Sequence, residues 1–304
     1  MNSIKKERLV FVFLISVALI ITMIISLPIK DSYKHDYKKF WIEKTDAPSD
    51  YNVVVIGDSR IYRGISPDAM ETVLKGEKVL NFGYSSARLD NLLLKKASEK
   101  LINDGSEKII VLGITPNSLT EIPNANADLL DNIQMPREDK YEILYFYDVL
   151  KYFDALDLDH IQNAWTTSKE PKNYIEEFHS NGWIASDYIV EDTNSAMPGY
   201  RSWFQKNMVS QNMINRLMTQ VGEWSRQGIK VYGFRFPTSY SMVQLEDSLS
   251  GFNEIVFAQN FTKMGGKWLE FSNSDFHSYD GSHLEKQSAE IFSKQLALKI
   301  KEGK

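Results

Sequence analysis

The chain has 304 residues, 43% of them hydrophobic, with 35 Lys and Arg against 40 Asp and Glu and a formal charge of −5. Its length suffices to bury one good core in a single elaborated domain. The mildly acidic balance and the lack of any Lys/Arg-dense stretch leave no nucleic-acid footprint, so no nucleic-acid partner is expected. The absence of cysteine excludes lipid anchoring through an N-terminal Cys.

Residues 1–8 form a short basic tail with Lys5, Lys6 and Arg8. Residues 9–28 follow as an uncharged apolar run, long enough as a helix to cross roughly 30 Å of hydrocarbon. No small-x-small cleavage site is evident, so the run is expected to stay as a single-pass signal anchor in the cytoplasmic membrane. Basic residues also follow it (Lys30, Lys34, Lys38, Lys39), so charge counting does not set the orientation. A short basic tail before a first apolar segment usually stays in the cytoplasm, which places the bulk of the chain outside, in a periplasm or at the cell surface. Residues 29–50 are charged and aromatic and read as a stalk or linker that begins to fold near Trp41. The domain proper is expected over 51–304.

Short β-rich runs at 52–56, 78–81, 108–113, 230–234 and 268–270 end in or near Gly, Asn or Pro. Runs such as Val53-Val54-Val55-Ile56 and Ile109-Ile110-Val111-Leu112 are continuous rather than alternating, the mark of strands covered on both faces. Helical spacing appears at 68–74, after Ser66-Pro67 as cap and first turn, and again at 89–102, 213–224 and 289–300. Strands alternating with helices predict an α/β fold with a parallel, doubly wound sheet, whose ligands bind beyond the C-terminal ends of the strands. Residues 119–204 break the rhythm and read as a largely helical insertion. It is dense in aromatics, among them Tyr141, Tyr145, Phe146, Tyr147, Tyr152, Phe153, Trp165, Trp183, Tyr188, Trp203 and Phe204. Those rings either pack the insertion onto the core or form a wall for sugar rings.

Two motifs carry chemistry. Gly57-Asp58-Ser59 follows the first strand, with Ser59 at the edge of the sheet, and Asp280-Gly281-Ser282-His283 precedes the last helix. A serine hydroxyl needs a positioned base; His283 is the candidate, with Asp280 orienting its imidazole. His277 is the rival base but lacks the Asp-x-x-His arrangement. Asp58, Ser59, Asp280 and Ser282 are also residue types that cap helices. There is no G-x-S-x-G elbow. Asp275, His277, Asp280 and His283 make a weak metal set without cysteine, so no metal is expected. Arg60, Arg63 and Arg235 lie near the nucleophile or at a strand end. Of these, Arg60 and Arg235 are taken as candidates to grip an anionic substrate group.

In these motifs the chain resembles the SGNH (GDSL-like) hydrolase family, in a membrane-anchored branch acting on surface polysaccharide. The resemblance covers about residues 50–118 and 228–301. It implies a flavodoxin-like three-layer α/β/α sandwich with Ser59 as nucleophile and Asp280 and His283 as its partners. It also implies an oxyanion hole built from the N–H groups of Ser59 and Gly83 and from Asn117. The family's third block, Gly-x-Asn-Asp, is not reproduced: here the text is Gly113-Ile114-Thr115-Pro116-Asn117, and Asn117 fills the role only with a longer loop. The implied activity is hydrolysis or transfer of an acyl group, expected to be acetyl, on a cell-surface polysaccharide, without a cofactor. Proteins of surface-polysaccharide biosynthesis are possible partners. Two other readings stay open: a non-catalytic glycan-binding module of a polysaccharide-assembly machine, and a lipase or thioesterase.

Overall fold

The computed structural model describes residues 3–26, 33–146, 174–188 and 192–303. In chain order, α1 (Ser3–Ser26) and α2 (Tyr33–Thr45) precede β1 (Val53–Gly57), α3 (Ser59–Gly64), α4 (Pro67–Glu71) and β2 (Val79–Gly83). Then come α5 (Asn91–Ser98), β3 (Ile109–Ile114), a 3-10 turn (Asn117–Leu119), α6 (Ala127–Gln134), α7 (Arg137–Tyr141) and a π-helical turn (Glu142–Phe146). A hairpin of β4 (Tyr174–Phe178) and β5 (Ile184–Tyr188) leads to α8 (Met197–Phe204), α9 (Gln211–Arg226) and β6 (Lys230–Arg235). The chain closes with α10 (Tyr240–Leu249), α11 (Glu254–Lys263), β7 (Lys267–Leu269), a 3-10 turn (Asn273–Asp275) and α12 (Lys286–Glu302).

The described residues fall into two compact units, one drawn from residues 1–39 and 135–171, the other from 40–134 and 172–304. In the first, His35 Nε2 lies 2.8 Å from the carbonyl of Ile143, and the apolar side chains of α1 from Leu9 to Ile21 are largely exposed. Among the described residues, no helix is long and apolar enough to cross a membrane, so the span expected over 9–28 is not shown. Part of that expected span, residues 27 and 28, lies outside the described residues.

The second unit holds the sheet. Its order is β2-β1-β3-β6-β7, all parallel. Chain order therefore reverses between β1 and β3, and a doubly wound sheet opens its ligand crevice at that reversal. Every residue of β1 and β3 is buried, which explains the unbroken apolar runs. Val53, Val55, Ile109, Val111, Tyr232 and Phe234 pack with Met70 of α4 and with Phe292, Leu296 and Ile300 of α12. By the two-residue period of a strand, the intervening side chains face the other side, where α5 meets β1 and α9 meets β6.

Glycines at the strand ends position the next element. Gly57 of β1 pairs with Gly83 of β2, and Gly113 stands near the end of β3. A Cβ on Gly57 or Gly113 would overlap the Ile61 side chain, and one on Gly83 would lie 2.6 Å from the Tyr62 nitrogen. Ile61, fully buried, thus lies flat across three strand ends, and α3 sits directly on the sheet edge.

Three expectations change. The segment 29–50, expected as a stalk or linker that begins to fold near Trp41, is helical already from Tyr33 in α2, and Phe40, Trp41 and Ile42 are buried. The insertion expected to be largely helical contains an antiparallel hairpin, in which Phe178 pairs with Ile184. The first helix after β1 starts at Ser59 itself, ahead of the one expected at 68–74.

Candidate active site

Ser59 owes its position to the residues around it. Asp58 caps α3, accepting the Arg60 N–H at 3.1 Å, so Ser59 becomes the first residue of that helix. The other oxygen of Asp58 accepts the Thr115 hydroxyl at 2.5 Å, and Thr115 Oγ1 accepts the Ser118 N–H at 3.0 Å. The buried Asp58 carboxylate therefore braces the loop carrying Asn117 against the turn of Ser59. Asn81 does similar work beneath: its amide donates to the carbonyls of Ile61 (2.8 Å) and Ile65 (2.7 Å), fastening α3 to β2.

Two hundred residues onward, Gly281 takes φ +91 and closes a tight turn. Asp280 accepts the N–H groups of Ser282 (2.8 Å) and His283 (2.7 Å) on one oxygen, while its other oxygen lies 2.7 Å from His283 Nδ1. His283 Nε2 lies 2.9 Å from Ser59 Oγ. With Nδ1–H donating to Asp280, Nε2 is the acceptor facing the serine hydroxyl. Burial raises the Asp280 pKa, but the hydrogen bonds and charge of His283, with the two backbone N–H groups, outweigh it and pull the value down to about 2. The carboxylate is thus ionised beside the imidazole it orients. His277 is elsewhere: its ring lies 3.2 Å from Glu285, exposed on the surface.

The N–H groups near Ser59 differ from the arrangement that the resemblance implied for Gly83. The Gly83 N–H donates to Asn81 Oδ1 at 3.0 Å, and Gly83 does not line the cavity at Ser59. Asn81 recruits that N–H while fastening α3, so Gly83 is not a donor. The loop after β2 instead brings Ser85 and Ser86 to the cavity. Ser86 takes φ +50, in the left-handed region, and neither serine's N–H is bonded among the described residues. The same holds for the Ser59 N–H at the start of α3. Asn117 lines the cavity. Ser86 escaped sequence analysis because no glycine marks its conformation.

Arg60 and Arg235 do not reach the cavity either. Arg60 is buried, with Nη2 2.6 Å from Glu246 and Nε donating to Ser282 Oγ at 2.9 Å. Arg235 pairs with the same Glu246 at 3.1 Å, and with Asp247 (2.8 Å) and Glu254 (3.3 Å). Both are structural ions whose carboxylates come from α10 and α11, invisible to local reading.

The cavity over Ser59 and His283 has a volume of about 700 Å³. Its walls include Arg63, Arg88, Tyr188, Tyr200, Trp203 and Tyr279. Of the aromatics singled out in 119–204, Tyr188 and Trp203 are among these walls, while Trp183 and Phe204 are buried in the core. Tyr141, Tyr145 and Phe146 are exposed in the other unit, and Tyr147, Tyr152, Phe153 and Trp165 lie outside the described residues. Burial opposes the charge on Arg60, Arg63 and Arg88 alike. At Arg60 it is outweighed chiefly by Glu246, and at Arg63 by Tyr62, Tyr279 and Glu176, so both pKa values rise. At Arg88 burial prevails over the smaller influences of Asp58 and Tyr200, and the pKa falls. Among the described residues, no cluster of His, Cys, Asp and Glu is suited to hold a metal ion.

No family model matches this chain, and no curated protein matches it. Among solved structures, it is similar to one described as "a putative platelet activating factor from Streptococcus pneumonia", at 10% identity and a TM-score of 0.38, over 95% of this chain and 98% of the other. At that score and identity the likeness carries no argument about chemistry. The sheet itself shows an α/β fold with five parallel strands flanked by helices.

Proposed function

We propose that this protein is a serine-dependent acyl-ester enzyme of the SGNH type, a hydrolase or O-acyltransferase. The observation that carries the reading is the relay from Asp280 through His283 to Ser59, with links of 2.7 and 2.9 Å, opening on a cavity. Ser59 Oγ attacks the ester carbonyl carbon while its proton passes to His283 Nε2. The negative charge on the carbonyl oxygen is met by the N–H groups of Ser59 and the Ser85–Ser86 loop and by the Asn117 side chain. The tetrahedral intermediate then collapses: the ester C–O bond breaks, the alcohol leaves with the proton from His283, and the acyl group stays on Ser59. Water or a sugar hydroxyl, deprotonated by the same histidine, takes that acyl group.

The flavodoxin-like three-layer sandwich belongs to this reading and is supported by the strand order. So does an acetylated surface polysaccharide as substrate, supported by Tyr188, Tyr200 and Trp203 in the cavity wall. Placement outside the cytoplasmic membrane is part of the same proposal and rests on the apolar run at 9–28.

The test is labelling of the full chain with a fluorophosphonate, read by intact mass and peptide mapping. One adduct on Ser59, absent from His283→Ala, is expected. A folded protein that takes no adduct would overturn the enzyme reading in favour of a glycan-binding module. Hydrolysis rates across an ester chain-length series should favour acetyl; a preference for long chains would make it a lipase.

A further inference from the structure

Three arginines stand around the nucleophile, and their partners differ. Arg60 has Glu246 at 2.6 Å, and Arg63 has Glu176 at 2.6 Å. Arg88 has no carboxylate within ion-pair distance among the described residues, although its side chain is almost wholly buried and lines the cavity at Ser59. Its Nε donates to Thr120 Oγ1 at 2.8 Å, its Nη1 donates to the Ser86 carbonyl, and the Trp203 ring lies 4.9 Å from the guanidinium carbon. Of five guanidinium N–H groups, these bonds engage two. Asp58 bears on Arg88 only through longer-range attraction. The Trp203 indole N–H, also buried, finds no acceptor among the described residues.

Burying a guanidinium without a counter-charge is costly. Here the group is held from two edges and one face beside Ser59, and its remaining donors have no hydrogen-bond partner among the described residues. That is the arrangement of a preformed anion fork, since a planar guanidinium matches a carboxylate bidentately.

Resting on the esterase reading above, we propose that Arg88 is the specificity-determining residue of this site and selects acyl esters whose alcohol part carries a carboxylate, as an acidic sugar does. The acyl group in that reading is small, so the charge belongs to the alcohol part. Arg88 takes over the anion-gripping role that sequence analysis assigned to Arg60 and Arg235.

The test uses a matched pair, 4-acetoxybenzoate and its neutral analogue 4-acetoxybenzamide, with the full-length wild type and Arg88→Gln. The wild type should show a KM about ten- to a hundred-fold lower for the anionic ester, with similar kcat. Arg88→Gln should erase that preference, losing about ten- to a hundred-fold more kcat/KM on the anionic ester than on the neutral one, with an unchanged circular dichroism spectrum and melting curve to show that the variant is folded. Equal treatment of the two esters by the wild type overturns the proposal. So does a preference that survives in Arg88→Gln, or an equal loss on both esters, which would make Arg88 a loop brace through Thr120 and Ser86. Binding of the two esters to Ser59→Ala, followed calorimetrically, reads the same contact without catalysis. If neutral-ester hydrolysis does not depend on Ser59, the esterase reading fails; if Ser59→Ala binds both esters equally, the Arg88 assignment fails by itself.

Discussion

Arg60, the residue after Ser59, donates through Nε to the hydroxyl of Ser282, the residue before His283, at 2.9 Å and across 222 residues of sequence. The bond ties the two halves of the relay together behind the reacting groups. Ser282 continues it to the Tyr200 hydroxyl at 3.0 Å, and Glu246 anchors Arg60 from the other side. Removing the carboxylate takes away the one ion-pair partner of Arg60 among the described residues and deprives Arg235 of one of its three. Glu246→Gln is therefore expected to cost about 3–5 kcal/mol, the range for breaking a buried pair from one side. Arg235→Gln should cost markedly less, since it leaves the Arg60–Glu246 pair intact and two of its own carboxylates are partly exposed. Urea unfolding of both variants measures the difference; an equal cost would show that Arg60 does not depend on Glu246.

Asp280 makes stability depend on acid. Its folded pKa is about 2, below the ordinary 3.8, so its contribution is complete above pH 3.8 and is lost as the pH falls towards 2. The direction follows from proton counting: in that window the unfolded chain binds the proton and the folded chain does not. The full contribution is about 2 kcal/mol. Unfolding curves of wild type and Asp280→Asn between pH 5 and pH 2 should converge as the pH drops, and parallel curves would contradict the assignment.

The same variant should also lose turnover. With an amide in place of the carboxylate, nothing stabilises the imidazolium or holds Nδ1–H towards residue 280, and kcat is expected to drop by about 10⁴. KM should change little, and fluorophosphonate labelling of Ser59 should slow in parallel.

Asn117→Ala removes a side-chain donor proposed for the oxyanion, and kcat is expected to fall about 10²–10³-fold with KM nearly unchanged. Ser86→Gly keeps the backbone N–H and relieves a left-handed φ, so turnover on a neutral acetyl ester should be retained. A large loss in Ser86→Gly would mean that the hydroxyl, rather than the N–H, acts in the site.

What local sequence showed and what it hid follow one physical division. β1 and β3 were legible because a strand covered on both faces must be apolar throughout, and the five expected strands lie within two residues of those observed. Ser59, Asp280 and His283 were legible because their turns are short and self-contained. Gly83 was misassigned because the use of its N–H is decided by an Asn81 side chain that also serves Ile61 and Ile65. Arg60 and Arg235 were misassigned because an arginine's role depends on where carboxylates arrive, and Glu246 arrives from a helix absent from the sequence reading. The α2 helix was hidden for another reason: Tyr33, Tyr37, Phe40 and Trp41 recur at helical spacing, but Lys34, Asp36, Lys38 and Lys39 between them read as a charged linker.

The three glycines beneath Ile61 make side-chain volume, rather than any reacting group, the dial that sets the height of the nucleophile above the sheet. A methyl at Gly83 would meet the backbone nitrogen of Tyr62 and push α3 outward, carrying Ser59 away from His283, and misplacement by about 1 Å is enough to cost on the order of 10²-fold in rate. A lineage abandoning catalysis while keeping the cavity as a binding site would need only one such change, with Ser59, Asp280 and His283 all still in place. On the catalytic reading proposed above, an intact serine, histidine and aspartate in descendants of this fold therefore vouch for activity only when the floor under Ile61 is still bare.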